Sequence, residues 1–191
     1  MSIGIILKAT DLIYNTFLIL QKKIQDNTLL LINSINAQSP AQAEFKPAEN
    51  VWSILECAEH IFLVARSVSK IITAPPPIEK TENNKTELFS EQKLNILLVS
   101  NRTFKVPAPD YVSPKGDFVS IPGAVQNINS IIEKIIQHIN SSDIEKDTQL
   151  IKHPLLDVMT KIDWIHFMIA HTNRHLLQID ELKAHPDFPA F

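Results

Sequence analysis

The chain has 191 residues, of which 45% are hydrophobic and 20% charged, and its formal net charge is -3 at pH 7. A chain of this length fills one core well and two poorly, so a single domain over residues 1–191 is expected. The apolar content excludes a largely disordered chain, and the slightly acidic balance, with no cluster of Lys and Arg, argues against nucleic acid or an anionic membrane surface as partner.

Glycine is scarce, with Gly4, Gly116 and Gly123 alone, and no window alternates apolar and polar residues long enough to suggest a sheet. Long helices joined by Pro-marked loops are therefore expected. The first runs from about Ile5 to Asn36, because Leu12, Ile13, Thr16, Phe17, Leu20, Ile24, Thr28, Leu31 and Ile35 recur at three- and four-residue steps; Ser39-Pro40 stops it. A connector holding Phe45 and Pro47 leads to Asn50, read as the N-cap of a second helix over Val51 to Ile72, which Ala74-Pro75-Pro76-Pro77 ends. The middle section, Pro75 to Pro122, holds a short helix over Ser90 to Val99 capped by Ser90, then an extended Pro-rich loop through Pro107, Pro109, Pro114 and Gly116 that forms a lid, a pocket wall or simple surface packing. A third helix spans Gly123 to Ile139 on a stripe of Val125, Ile128, Ile131, Ile132, Ile135, Ile136 and Ile139. After a loop containing His153-Pro154, Asp157 or Thr160 caps a fourth helix that reaches Lys183, and the tail from His185 packs its phenylalanines back on the helices. The fold class expected is all-α, an antiparallel four-helix bundle with a long irregular connection between helices 2 and 3.

Lys8 and Asp11 interrupt the apolar N-terminal run, no basic residue precedes Lys8, and no small-residue cleavage motif follows, so an amphipathic helix rather than a signal peptide is expected. No apolar run reaches the length of a membrane span. The lone Cys57 excludes an intrachain disulfide and suits a reducing, cytoplasmic setting; the residue itself reads as a core thiol.

The chemistry concentrates in His171-Thr-Asn-Arg-His175-Leu-Leu-Gln178. Two imidazoles four residues apart on a helix share one face about 6 Å apart and can grip one metal ion. A third ligand is wanted, and His60 in Trp52-Ser-Ile-Leu-Glu-Cys-Ala-Glu-His60 is the best candidate upstream. Three imidazoles with open coordination positions describe a catalytic type of site and accept zinc, nickel, copper or iron. A single His-x-x-x-His pair also arises by chance, and the alternative is that each ring is an ordinary core or surface histidine. That alternative suits His138, His153, His166 and His185 best; His166 lies about 140° around the helix from His171 and cannot share its ion. Glu56, one turn before His60, reads as a ligand, an outer partner, a general base or a solvated or ion-paired carboxylate, the last being favoured. Arg174 offers an anion contact or a surface ion pair, Gln178 a contact to a ligand or bound water, and Trp52 and Trp164 read as packing.

Taken together, Trp52-Ser53-Ile54-Leu55-Glu56-x-x-x-His60, the Pro-rich stretch at Pro107-Ala108-Pro109 and Pro114-Lys115-Gly116, and Trp164 to Gln178 with its His-x-x-Arg-His-x-x-Gln pattern resemble the DinB-like superfamily over nearly the whole chain. The resemblance implies a four-helix bundle, often a homodimer, with a divalent metal on His60, His171 and His175. Zinc or nickel is expected. Relatives include S-transferases and isomerases that use low-molecular-weight thiols such as bacillithiol, mycothiol or glutathione. The function expected is thus a metal-dependent thiol S-transferase-like enzyme with a small-molecule thiol and an electrophile as partners, Arg174 and Gln178 touching the cofactor. A metal-dependent hydrolase and a non-catalytic metal-binding or stress-associated bundle stand as alternatives.

Overall fold

The computed structural model describes residues 3–75, 91–95, 97–98, 106–144, 147 and 149–190, with backbone alone for residues 3–17 and 91–92. Among the described residues the order is α1 (Ile3–Asn36), α2 (Pro40–Glu44), α3 (Ile54–Thr73), α4 (Glu91–Asn95), α5 (Ile121–Ser141), β1 (Ile151–His153), β2 (Asp157–Met159) and α6 (Lys161–Lys183). The protein is mostly helical, and α1 and α3 each pack against both α5 and α6.

Helix boundaries follow hydrogen-bond supply at the ends. Ser39 does more than stop α1: with Gln42 it forms a reciprocal capping box, and Pro40 opens the short α2, a helix not anticipated in the connector. The second long helix starts at Ser53 rather than Asn50. Ser53 Oγ accepts from Glu56 N at 3.1 Å while Glu56 Oε2 accepts from Ser53 N at 2.7 Å. Asn50 has Ser53, not Glu or Gln, three residues on, so it lacks the return bond that settles the start. In the same way α5 begins two residues before Gly123, capped by Ser120, because Pro122 in a first turn forfeits no helical bond. Within the expected helix Ser90 to Val99, Glu91–Asn95 form α4 and Leu97 and Leu98 are also helical; Ser90, Ile96 and Val99 lie outside the described residues.

The expectation that no sheet forms is corrected by β1 and β2. They pair antiparallel with Ile151 opposite Met159 and His153 opposite Asp157. Three residues per strand is too short a run for alternation to register, and the turn depends on Asp157, whose φ of 64° lies in the left-handed region. Thr160, the second of the two caps anticipated, starts α6 in a capping box with Asp163.

Among the described residues, two apolar clusters fill the interior. One joins Val68, Ile72, Ile135, Met159 and Ile165, and the other joins Ile35, Ile54, Cys57, Ala58, Ile128 and Ile179. Each fully buried aliphatic side chain contributes roughly 1.5–3 kcal/mol by leaving water. Leu20, Ile24, Leu31 and Ile35 are the buried line of α1; the side chains of Leu12, Ile13, Thr16 and Phe17 lie outside the described residues. Cys57 is a buried thiol, as expected. From the tail, Phe188 packs edge-on to Phe45 with ring centroids 5.4 Å apart, while Phe191 lies outside the described residues.

The Thr160 hydroxyl both accepts from Asp163 N at 3.1 Å and donates to Asp163 Oδ2 at 2.7 Å. Thr160→Ala removes both bonds. It is expected to lower unfolding stability by about 1–2 kcal/mol in a denaturant titration, with the helical circular-dichroism signal of the folded state retained.

Candidate metal centre

His60 sits near the middle of α3, and His171 and His175 sit one turn apart on α6, so the packing of α3 on α6 brings the three imidazoles together. One nitrogen from each lies within 4.8 Å of the other two. His171 Nε2 is 3.1 Å from His60 Nε2 and 3.3 Å from His175 Nε2. Two nitrogens bound to one tetrahedral zinc at bonds of 2.0–2.1 Å would lie about 3.3 Å apart. The spacing fits a shared ion.

The outer nitrogens determine what the inner ones offer. His60 Nδ1 is 2.6 Å from the carbonyl oxygen of Val112, and His175 Nδ1 is 3.0 Å from Gln178 Oε1. Both oxygens can only accept, so both Nδ1 atoms carry the hydrogen and both Nε2 atoms turn lone pairs inward. The Nδ1 of His171 is buried with no hydrogen-bond partner among the described residues. Burial pushes the His60 pKa down, against the opposing pull of the Val112 carbonyl. Burial, then the charges of His175, His60, Arg174 and His153, hold the His171 pKa well below the usual histidine range. Neutral rings are the form a metal takes.

His60 and His175 are buried while His171 is partly exposed. The Trp52 ring covers one side, 4.7 Å from the His60 ring and 6.0 Å from the His175 ring, close to parallel with the latter. Trp52 is packing, as its type suggested, but what it packs on is the pair of buried imidazoles.

The remaining sequence candidates fall as follows. Glu56 belongs to the capping box and pairs with Lys46 at 2.9 Å, which removes it from the metal centre and matches the ion-paired reading. Arg174 donates from Nη1 to the carbonyl of Leu98 at 2.6 Å, and Gln178 accepts from His175. The Pro-rich loop reaches the cluster through Val112, whose carbonyl meets His60 Nδ1.

The residue that sequence reasoning missed is Glu59. Its carboxylate is buried on α3 beside His60 and accepts from the backbone N–H of Lys115 at 2.7 Å, Gly116 at 3.1 Å and Phe118 at 3.4 Å. Gly116 has φ of 82°, so the backbone curls around the carboxylate in a conformation that glycine adopts without strain. A carboxylate one residue before His60, with a Pro- and Gly-marked loop downstream, is the available signal, yet nothing in it says that the two meet.

The profile of the DinB superfamily matches residues 22–179 of the chain. The uncharacterized protein YuaE of Bacillus subtilis (strain 168) is 25% identical over 151 residues, which cover 79% of this chain and 89% of that protein. No solved structure gives a significant match.

Two outcomes follow from this geometry. Glu59→Ala leaves three loop N–H groups without their acceptor and is expected to cost about 2–4 kcal/mol of stability. Slowed hydrogen exchange at Lys115 and Gly116 in the parent, lost in the variant, checks that the loop is what loosens. The second outcome concerns pH, through His153, whose pKa burial lowers to about 4 from the ordinary 6.5. Its folded form resists the proton that the unfolded chain takes up, so stability is full above about 6.5 and falls as the pH drops towards 4. After solvent screening the loss is on the order of 1–2 kcal/mol for His153 alone. Thermal unfolding of metal-free protein should show it, and His153→Phe should flatten that slope.

Proposed function

Since the chain belongs to the DinB superfamily, we propose that it is a divalent-metal-dependent enzyme of the thiol S-transferase type, joining a low-molecular-weight thiol to an electrophile. His60, His171 and His175 hold one zinc or nickel ion through Nε2. The observation that carries the reading is the tautomer lock: lone pairs of two buried imidazoles converge on the third at 3.1 and 3.3 Å, an arrangement that repels itself unless a cation or a hydrogen lies between. A bound divalent ion lowers the pKa of a coordinated thiol, so that the nucleophile exists at neutral pH.

The chain's own groups prepare the rest. Lowered pKa values keep His60 and His171 unprotonated at neutral pH. Trp52 packs over one side of the cluster, and His171 is the one of the three imidazoles that is not fully buried. Arg174, whose charge already acts on His171, is assigned to a carboxylate of the thiol, and Gln178 to a cofactor contact made beside His175.

The four long helices α1, α3, α5 and α6 are read as an antiparallel four-helix bundle, supported by their pairwise packing. A cytoplasmic homodimer completes the proposal: Leu18, Ile19, Leu29 and Leu30 on α1 are exposed and supply apolar surface for a second copy, and no helix among the described residues is long and apolar enough to cross a membrane.

Elemental analysis of tag-free protein tests the core of the reading. One zinc or nickel per chain is expected in the parent. His60→Ala, His171→Ala and His175→Ala should each weaken binding by more than about 100-fold, since loss of an outer partner alone costs 10–100-fold. Unchanged metal content in all three variants would remove these residues from the site.

A further inference from the structure

A neutral imidazole carries one hydrogen, on one of its two ring nitrogens. For His60 and His175 the outer partners hold it on Nδ1, facing the Val112 carbonyl at 2.6 Å and Gln178 Oε1 at 3.0 Å, and leave a bare Nε2 turned inward. His171 differs. Its Nδ1 is buried with no hydrogen-bond partner among the described residues, whereas its Nε2 meets two, the Nε2 of His60 at 3.1 Å and the Nε2 of His175 at 3.3 Å.

This geometry admits one placement of the third hydrogen when no ion is bound. On Nδ1 it would be a buried donor facing no acceptor, and three lone pairs would converge inside the cluster. On Nε2 it is shared between two acceptors, as when one backbone N–H serves two carbonyls. A hydrogen on both nitrogens would again leave an Nδ1–H unpaired. The ion-free cluster is thus a closed set, with two acceptors fixed from outside and one donor between them.

Ligation through the same nitrogen requires the other tautomer. A nitrogen bound to a divalent ion carries no hydrogen, so His171 loses its Nε2 hydrogen to water and takes one from water on Nδ1. The ring is neutral before and after, and no net proton is released. His60 and His175 undergo no such change, because their Nε2 atoms are bare in both states. The new Nδ1–H of His171 has no acceptor among the described residues, whereas those of His60 and His175 keep theirs. Loss of an outer partner weakens a ligand by roughly 10–100-fold.

Resting on the metal reading, we propose that His171 is a tautomer switch: an Nε2–H donor that closes the ion-free cluster onto His60 and His175, and an Nε2 ligand, the weakest of the three, when an ion is bound. The site then has two well-bonded states rather than one filled and one broken. His171 is the residue that changes between them.

The test is long-range proton–nitrogen NMR correlation on the full chain with 15N-labelled histidine, each ring assigned through its own Cβ and backbone. In metal-free protein His60 and His175 are expected as Nδ1–H and His171 as Nε2–H. One equivalent of zinc should convert His171 alone, to Nδ1–H. An Nδ1–H on His171 before zinc is added, or rapid averaging of its two tautomers, overturns the switch and leaves the metal reading standing. Imidazole resonances that zinc does not move overturn the metal reading, and the switch with it. A chelator competition checks the ranking: His171→Gln is expected to lose about ten-fold less zinc affinity than His60→Gln or His175→Gln. His171→Gln as the costliest of the three refutes the weak-ligand assignment, and the parent spectra decide the switch where a variant does not fold.

Discussion

Two acceptor oxygens, one on Val112 and one on Gln178, determine what the histidine cluster can do. Three clustered imidazoles, two of them within hydrogen-bond distance of His171, would otherwise share hydrogens and pack as polar side chains. Because the carbonyl of Val112 and the amide oxygen of Gln178 claim the Nδ1 hydrogens of His60 and His175, the inner nitrogens are left as lone pairs. Burial then keeps His60 and His171 neutral in the pH range where an ion binds. The inward lone pairs are thus set by the outer partners as much as by the imidazoles themselves.

The Val112 carbonyl is only as well placed as the loop that carries it, and that loop hangs on Glu59. The buried carboxylate gathers three backbone N–H groups at 2.7–3.4 Å, and Gly116 supplies the bend that lets them converge. Hence one short segment of α3, Glu59-His60, contributes both an imidazole of the cluster and the anchor of the loop that orients the same imidazole. The α6 helix is equally compact: His175 and Gln178, one turn apart, are imidazole and orienting partner on a single face, and the Thr160–Asp163 capping box sets where that face begins. Precision at the centre is thus a consequence of ordinary helix-end and loop chemistry.

Much of this was legible. Three- and four-residue apolar steps located the four long helices, since burial of one helical face imposes that period whatever the partner. The His171/His175 pair follows from helix geometry alone, and Trp-Ser-x-x-Glu-x-x-x-His pointed to His60. Glu56 was visible but its role was not: a Glu three residues after Ser53 is a capping signature and also sits a turn from a ligand, and only the bond to Ser53 N separates the two. The β1–β2 hairpin escaped because three-residue strands carry too few positions for alternation, and its turn uses an Asp in a conformation where glycine is the usual signal.

What the sequence determined by itself is therefore local or periodic: where helices run, which faces are apolar, and which two imidazoles share a turn. What the tertiary structure alone decided is every pairing across the chain. His60 meets His171 over 111 residues, His60 meets the Val112 carbonyl over 52, and Glu59 meets the Lys115 amide over 56. The physical reason is that a helix repeats its own register regardless of context, whereas a buried hydrogen bond between distant residues exists only after both have left water together, in an interior whose shape is set by all the other side chains.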